Sequence, residues 1–275
     1  TFKFFIYTFV GSLFLLIGIL YMYLKTSNGS FSLVAFYNVK LSDVQQYWMF
    51  LLFFIAFAIK MPLFPLHTWQ PEAYEQAPTP VTMVLSAVMV KMGLFGLLRW
   101  LLPLFPLAVK QFNTAIIVVI VVGMVYASLV AIYQDNIKKL IAYSSIAHIG
   151  LMAAGAFTLK AVALNGAVLQ MFSHGINIMA LWIVADLIEK QTGVTKISAL
   201  GGIAKKAPKL TIFLVVAAFA NIALPLTNAF VGEFMIFNGL YLFKPWIAAF
   251  AGLSIILSAV YTLNMIKHVF YGEVV

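Results

Sequence analysis

The stretch "FFIAFAIKMPLFPLH", residues 53–67, carries two features that a membrane segment ordinarily excludes. Lys60 closes an apolar run that begins at Tyr47, and Pro62, Pro65 and His67 follow directly. Proline removes a backbone donor and clashes with the preceding turn. The bilayer core holds no water, so carbonyls freed there must be met by protein or by a wet cavity. The 13 residues 47–59 are too few to cross about 30 Å of hydrocarbon at about 1.5 Å per residue. The chain is therefore expected to cross in broken form, continuing through "MPLFPLHTWQPEAYEQAP" (residues 61–78).

Working outward, the composition requires a membrane setting. Of 275 residues, 64% are hydrophobic and 9% charged, against about 45–50% and about 25% in soluble domains. Long apolar stretches mark an all-α polytopic membrane protein. A secretory signal is excluded, because the first apolar run lacks a small-residue cleavage site and further runs follow it. The chain begins at Thr1 in mid-run rather than at methionine, so it is read as an internal fragment. With no cysteine, disulfides, thiolate catalysis, iron–sulfur clusters and cysteine zinc sites are excluded. The net charge of +9 needs no nucleic-acid partner, because a cytoplasmic-side lysine bias accounts for it.

About eight transmembrane helices are expected. The uncharged run 4–24 is the first, and the broken segment 47–77 the second. Residues 79–102, 112–133, 140–159 and 161–185 follow, interrupted inside the membrane only by Lys91, His148 and His174. Residues 210–243 form a run of 34, too long for one simple crossing, which carries Pro225 and Glu233. Residues 246–266 complete the set. With Thr1 placed on the cytoplasmic side, nine lysines fall on that side and six positive residues on the other. The loop 186–209 supplies most of the bias.

The two interrupted segments share a design: "KMPLFP" in one, "NIALPLTNAF" followed by "VGEF" in the other. The breaks are placed near Pro62/Pro65 and near Pro225. Paired interruptions of this kind point to an ion pathway in transporters, whereas a single proline kink is often only structural. Here each break lies beside an intramembrane charge.

Five ionisable groups sit inside the spans: Lys60, Lys91, His148, His174 and Glu233. A charge at a helix centre costs about 2.5–3.5 kcal/mol by insertion scales, so five on one chain call for a purpose. Gln170, His174 and Asn177 fall at i, i+4 and i+7, one polar stripe down a helix face. Ser144 and His148 repeat the i, i+4 spacing, and Thr82 with Ser86 leads toward Lys91. Such stripes can hold water, and a file of water and titratable side chains can carry protons. Each histidine can equally be a structural hydrogen-bonder, and a lysine near a span end can snorkel. Lys91 and Lys60 lie thirteen residues into their runs, too deep for that. His67 and Trp69 are read as marking the membrane interface, as is His268, and Glu72 and Glu75 as solvated in a Pro-rich turn. No His/Glu spacing reads as a metal site, and no Gly-rich loop as a phosphate cradle.

The run "KMPLFPLHTWQPEAYEQAPTPVTMVLSAVMVKMGLFGLLRWLLPLFP" resembles the antiporter-like membrane subunits of respiratory complex I. So do "DNIKKLIAYSSIAHIGLM", "GAVLQMFSHGINIMALW" and "LPLTNAFVGEFMI". The resemblance covers essentially the whole chain. It implies part of a fourteen-helix inverted-repeat antiporter-like fold, with residues 1–110 ending the first repeat and 111–275 forming the second. It assigns Lys60 to the broken-helix lysine, Lys91 to the central-channel lysine, and His148 and His174 to the connecting hydrophilic axis. His67, Ser144, Gln170 and Asn177 are supporting polar residues. Glu233 occupies a position where one branch of the family carries glutamate, while sister subunits and sodium/proton antiporters usually carry lysine. The family pairs its broken-helix lysine with a fifth-helix glutamate, which would lie upstream of Thr1.

The function implied is proton translocation in the membrane arm of an NADH–quinone oxidoreductase of the bacterial inner membrane. NADH, flavin, iron–sulfur clusters and quinone would then belong to partner subunits, and this chain would hold no cofactor. Two other readings stay open: a subunit of a sodium/proton antiporter, and a non-transporting membrane scaffold.

Overall fold

The computed structural model describes residues 2–27 and 29–271. Its longer helices are α1 (Phe2–Lys25), α2 (Asp43–Lys60), α3 (Trp69–Gln76), α4 (Thr79–Leu104), α5 (Pro106–Ile132), α6 (Ile137–Phe157), α7 (Ala161–Thr192), α8 (Pro208–Asn221), α9 (Asn228–Phe243) and α10 (Pro245–Phe270). Short helices at Leu33–Tyr37 and Ile203–Lys206 punctuate two loops. No strand forms among the described residues, and the architecture is the all-helical one expected. Among the described residues six helices, α1, α4, α5, α6, α7 and α10, are long and apolar enough to cross a membrane. The two expected broken segments are the pairs α2/α3 and α8/α9, interrupted at residues 61–68 and 222–227.

Local sequence explains the boundaries. Ser42 starts α2 with a capping box, in which its hydroxyl accepts from Gln45 N–H while Gln45 Oε1 accepts from Ser42 N–H. Asn136 caps α6 by accepting from the N–H groups of Lys138 and Lys139. Proline opens the first turn of α4, α5, α8 and α10, where its missing donor costs nothing. Gly193 ends α7 at φ +69°, a left-handed geometry that a Cβ would strain.

The bundle is organised around α6. In its most apolar 18-residue window, 94% of the residues are buried, against 11% in α1. Small residues at 142, 144, 145, 147, 150 and 153–156 let neighbours approach it from all sides. The seam between α7 and α9 is as close: a Cβ on Gly166 would meet Gly232 O at 2.8 Å.

Charged pairs tie the helix ends together and show which ends are shared. Lys3 pairs with Glu72 at 2.9 Å, Lys139 with Glu75 at 3.0 Å and Lys138 with Glu189 at 2.6 Å. Asn136 bridges Glu75 to Thr195, and Asp135 accepts from both N–H and hydroxyl of Ser198. Lys3, Lys138, Lys139 and Lys190 therefore lie at one end of the bundle, as the lysine count required. At the opposite end Tyr37 donates to Arg99 O, and Lys244 to Thr114. Glu72 and Glu75 are ion-paired rather than simply solvated, because α3 returns them to the lysine-rich end of the bundle.

Candidate functional site

The first break is held open by specific partners. After α2 ends, Leu63 N–H reaches back to Ala58 O, and Ile59 O accepts instead from the indole Nε1 of Trp69 at 3.0 Å. Trp69 is fully buried. It belongs to the interior and not to the membrane interface, because its N–H satisfies a carbonyl that the break releases. His67 is also buried, lodged among the rings of Phe64, Tyr126 and Tyr143, which corrects its expected interfacial place. His268 stays exposed at its helix end, as expected. Lys60 is half-buried, and its ammonium has no hydrogen bond or ion pair among the described residues. Its Cβ packs against α4 at Gly93, where an added Cβ would meet it at 3.2 Å.

Helix α4 is less regular than its sequence suggested. Residues Leu85–Met89 and Leu97–Leu101 are π turns. In the first, hydrogen bonds run i→i+5, as from Val90 N–H to Leu85 O. Lys91 follows directly, 7% exposed, and donates to Ser86 O at 2.6 Å. The Ser86 hydroxyl turns back to Met83 O, so it is the Ser86 carbonyl that serves the lysine. Lys91 Nζ also stands 3.4 Å from Nδ1 of His174 on α7.

From there the line continues to α6. The rings of His174 and His148 meet edge to face, with centroids 5.4 Å apart. Both are buried, and Nε2 of each lacks a hydrogen-bond partner among the described residues. Gln170, one turn from His174, sits against Gly232 with an unpartnered Oε1, and Glu233 is the next residue. Glu233 is 6% exposed, with no partner for Oε2 among the described residues. It lines a cavity of about 380 Å³ beside the second break, with Pro225, Phe234 and Ser258.

The second break is stapled by α7. Asn177 donates to Ala220 O at 2.9 Å, and Ser173 to Asn228 O at 3.0 Å, one on each lip of the gap. Asn221 donates to Ser144 on α6, beside which lies the Tyr261 hydroxyl. Ala223 and Leu226 within the gap hold φ of +54° and +77°, a backbone region costing about 1–3 kcal/mol for side-chain-bearing residues.

The structure thus brings Lys91, His174 and His148 into one contiguous group, with Gln170 and Glu233 adjoining. Ser144 and Asn177 brace the second break, and Lys60 stands near the group through the α2–α4 contact. Sequence reasoning missed Ser173, Asn221 and Tyr261. Ser173 was legible as the i+3 member of the Gln170 stripe, and Asn221 as the residue before the second break. Nothing in the sequence pointed to Tyr261 over other tyrosines. Chemically, a lysine in hydrogen-bond range of a histidine can share one proton with it: either nitrogen can hold the proton while the other accepts.

Residues 1–258 match the family described as NADH:quinone oxidoreductase/Mrp antiporter, TM. The chain is 41% identical over 274 residues to NADH-quinone oxidoreductase subunit M of Rickettsia prowazekii (strain Madrid E), covering 99% of this chain and 55% of that protein. It is 38% identical over 285 residues to subunit M of Rhodobacter capsulatus, covering 100% of this chain and 56% of that one. Among solved structures, a chain of respiratory complex I from Thermus thermophilus with bound NADH superposes with a TM-score of 0.95 at 31% identity, over 100% of this chain and 59% of that chain. The chain spans about half the length of the curated relatives it matches. Its apolar spans and bacterial relatives make it a multi-pass integral protein of the bacterial inner membrane.

Proposed function

The chain belongs to the NADH:quinone oxidoreductase/Mrp antiporter transmembrane family, and on that premise we propose that it translocates protons in the membrane arm of an NADH–quinone oxidoreductase. The observation that carries this reading is the buried contact of Lys91 with His174, continued by His148, between two helices broken at mid-bundle. A charged group at that depth is expensive, and a purely structural bundle would gain more from an apolar side chain there.

In this reading Lys60, Lys91, His148, His174 and Glu233 each hold a proton in turn. Lys91 and His174 exchange one across their 3.4 Å contact, and one water molecule bridges the two histidine rings. Lys60, which closes α2 at the first break, has no ionic partner among the described residues. His67, Ser144, Gln170 and Asn177 hold backbone and water in place. Residues 1–110 and 111–275 belong to two repeats, each with one broken helix. Redox chemistry, with NADH, flavin, iron–sulfur clusters and quinone, takes place in partner subunits, and the proton path responds to it. The relatives' names support these partners, since both are subunits of NADH-quinone oxidoreductases.

The test is proton pumping measured alongside NADH:quinone electron transfer in the complete membrane complex carrying Lys60→Ala. Loss of both with assembly intact supports the reading. Wild-type rates for both would reduce the broken helix to a structural element. Sodium-dependent exchange by the intact complex would favour an antiporter instead.

A further inference from the structure

The loop between α7 and α8 carries positive charge that the chain does not balance. Between Lys190 and Tyr271 the sequence holds one acid, Glu233, and that one is buried at the second break. The acids that reach the loop are already engaged: Asp135 with Ser198, Asp186 with Lys190 and Glu189 with Lys138. Lys196, Lys205, Lys206, Lys209 and Lys267 are all exposed, and among the described residues their ammonium groups have no ion pair and no hydrogen bond. The fold keeps these lysines at one end of the bundle. The turn Ile197–Ala199 and the short helix Ile203–Lys206 both pack against α10. Val269 and Phe270, in the last turn of α10 with Lys267, share an apolar cluster with Ile197 and Leu200.

A cavity of about 420 Å³ opens among them, within the range of about 300–1,000 Å³ typical of small-ligand sites. Lys206 lines it, together with Gln191 and Thr192 from the end of α7 and Ala207 and Leu210 from the start of α8. The Gln191 amide is exposed and has no hydrogen-bond partner among the described residues, so it adds a free donor. Ala207 gives α8 no side-chain cap, which leaves the first-turn N–H groups without one at the cavity wall. The positive end of a helix dipole there favours an anion. Further along α8 the same face turns apolar. Lys209, Ile212, Phe213 and Val216 fall at i, i+3, i+4 and i+7, one exposed stripe headed by a lysine. Tyr271, exposed where α10 ends, marks the headgroup level at this end of the bundle.

We propose that the cavity between α7, α8 and the helix Ile203–Lys206 binds the phosphate headgroup of an anionic phospholipid. Lys206 and Lys209 meet the phosphate, Gln191 donates to its ester or glycerol oxygens, and an acyl chain lies along Ile212, Phe213 and Val216. Lys196, Lys205 and Lys267 raise the positive potential around the site, each near-surface lysine adding about fivefold to the affinity for anionic lipid. The apolar stripe selects the lipid over a free anion or an acidic protein segment, because only an amphiphile uses charge above and hydrocarbon below on one helix face. The site shares no residue with the Lys91 group, so it stands whether or not the chain translocates protons.

Photo-crosslinking in the complete membrane complex tests this. The complex is placed in phosphatidylcholine nanodiscs doped with phosphatidylglycerol whose acyl chain carries a diazirine, and mass spectrometry maps the adducts after illumination. Residues 203–216 should be labelled severalfold more by this probe than by phosphatidylcholine with the same chain. Equal labelling by the two probes overturns the site, and that readout needs no variant to fold. Lys206→Gln/Lys209→Gln, after native gels confirm assembly, should lower phosphatidylglycerol labelling by about fivefold or more. Lys110→Gln/Lys160→Gln removes the same charge at the opposite end and should leave it unchanged. Equal loss in the two double variants would reduce the effect to net charge and overturn the site. Excess inorganic phosphate should not compete with the lipid probe. If it abolishes the preference for phosphatidylglycerol, the cavity takes a free phosphate and the lipid assignment falls.

Discussion

Lys91 Nζ and His174 Nδ1 lie 3.4 Å apart across the α4–α7 contact, and among the described residues no acidic side chain pairs with either. The lysine's other contact is a carbonyl oxygen presented by a π turn, which can accept a hydrogen bond but cannot neutralise a charge. The π register is therefore part of the site, because it places Ser86 O within reach of a side chain five residues later on the same helix.

Trp69→Phe keeps the ring and removes its N–H. The Ile59 carbonyl then loses its partner inside the bundle, at a cost of about 1–3 kcal/mol. Thermal denaturation of the purified complex should show subunit loss at a lower temperature. Trp182→Phe, which removes an unpaired N–H, should cost less stability. Equal losses in the two variants would contradict the assignment of Trp69 to the break.

Gly166→Val should weaken the α7–α9 seam. An added Cβ already meets Gly232 O and the Met235 Cβ at 2.8 Å, and both neighbours are firmly held. Overpacking of this kind costs about 1–3 kcal/mol. Native gel electrophoresis should show less intact complex, whereas Gly252→Ala, with open space around it, should assemble normally.

The Lys138–Glu189 pair calls for a double-mutant cycle. Lys138→Met strands a partly buried carboxylate, so it should lower thermal stability more than the double variant Lys138→Met/Glu189→Gln does. Additive effects would show that the pair is not coupled.

Glu233→Gln preserves shape and removes the titratable group from the second break. Pumping should fall by about tenfold or more, the scale of a lost proton-transfer group, while Glu233→Asp retains part of it. Full activity in Glu233→Gln would confine Glu233 to a structural role at the cavity it lines.

Much of this was legible in the sequence, for identifiable reasons. Long apolar runs and prolines follow from hydrocarbon thickness and backbone donors, so the spans and both breaks could be read directly. The intramembrane charges stood out because their cost is large, and Lys91, His174 and His148 do come together. What was not legible depends on register and partner. The π turns in α4 have no sequence signature, so the service of Lys91 by the Ser86 carbonyl rather than its hydroxyl could not be read from the sequence. Trp69 and His67 resemble interfacial residues in composition. They are buried because the chain folds back after the break, and only tertiary structure shows that. The unpaired indole N–H of Trp182 was likewise invisible, since burial without a partner is a property of the packed bundle.

The most direct test of the proton path is Lys91→Met in the complete membrane complex. The substitution keeps the apolar stem and removes only the ammonium that contacts Ser86 O and His174. Proton pumping and electron transfer are measured together after assembly has been verified. The path described here predicts that both collapse, because the shared proton between α4 and α7 is gone. Pumping at the wild-type rate would contradict it and leave Lys91 as a structural hydrogen bond.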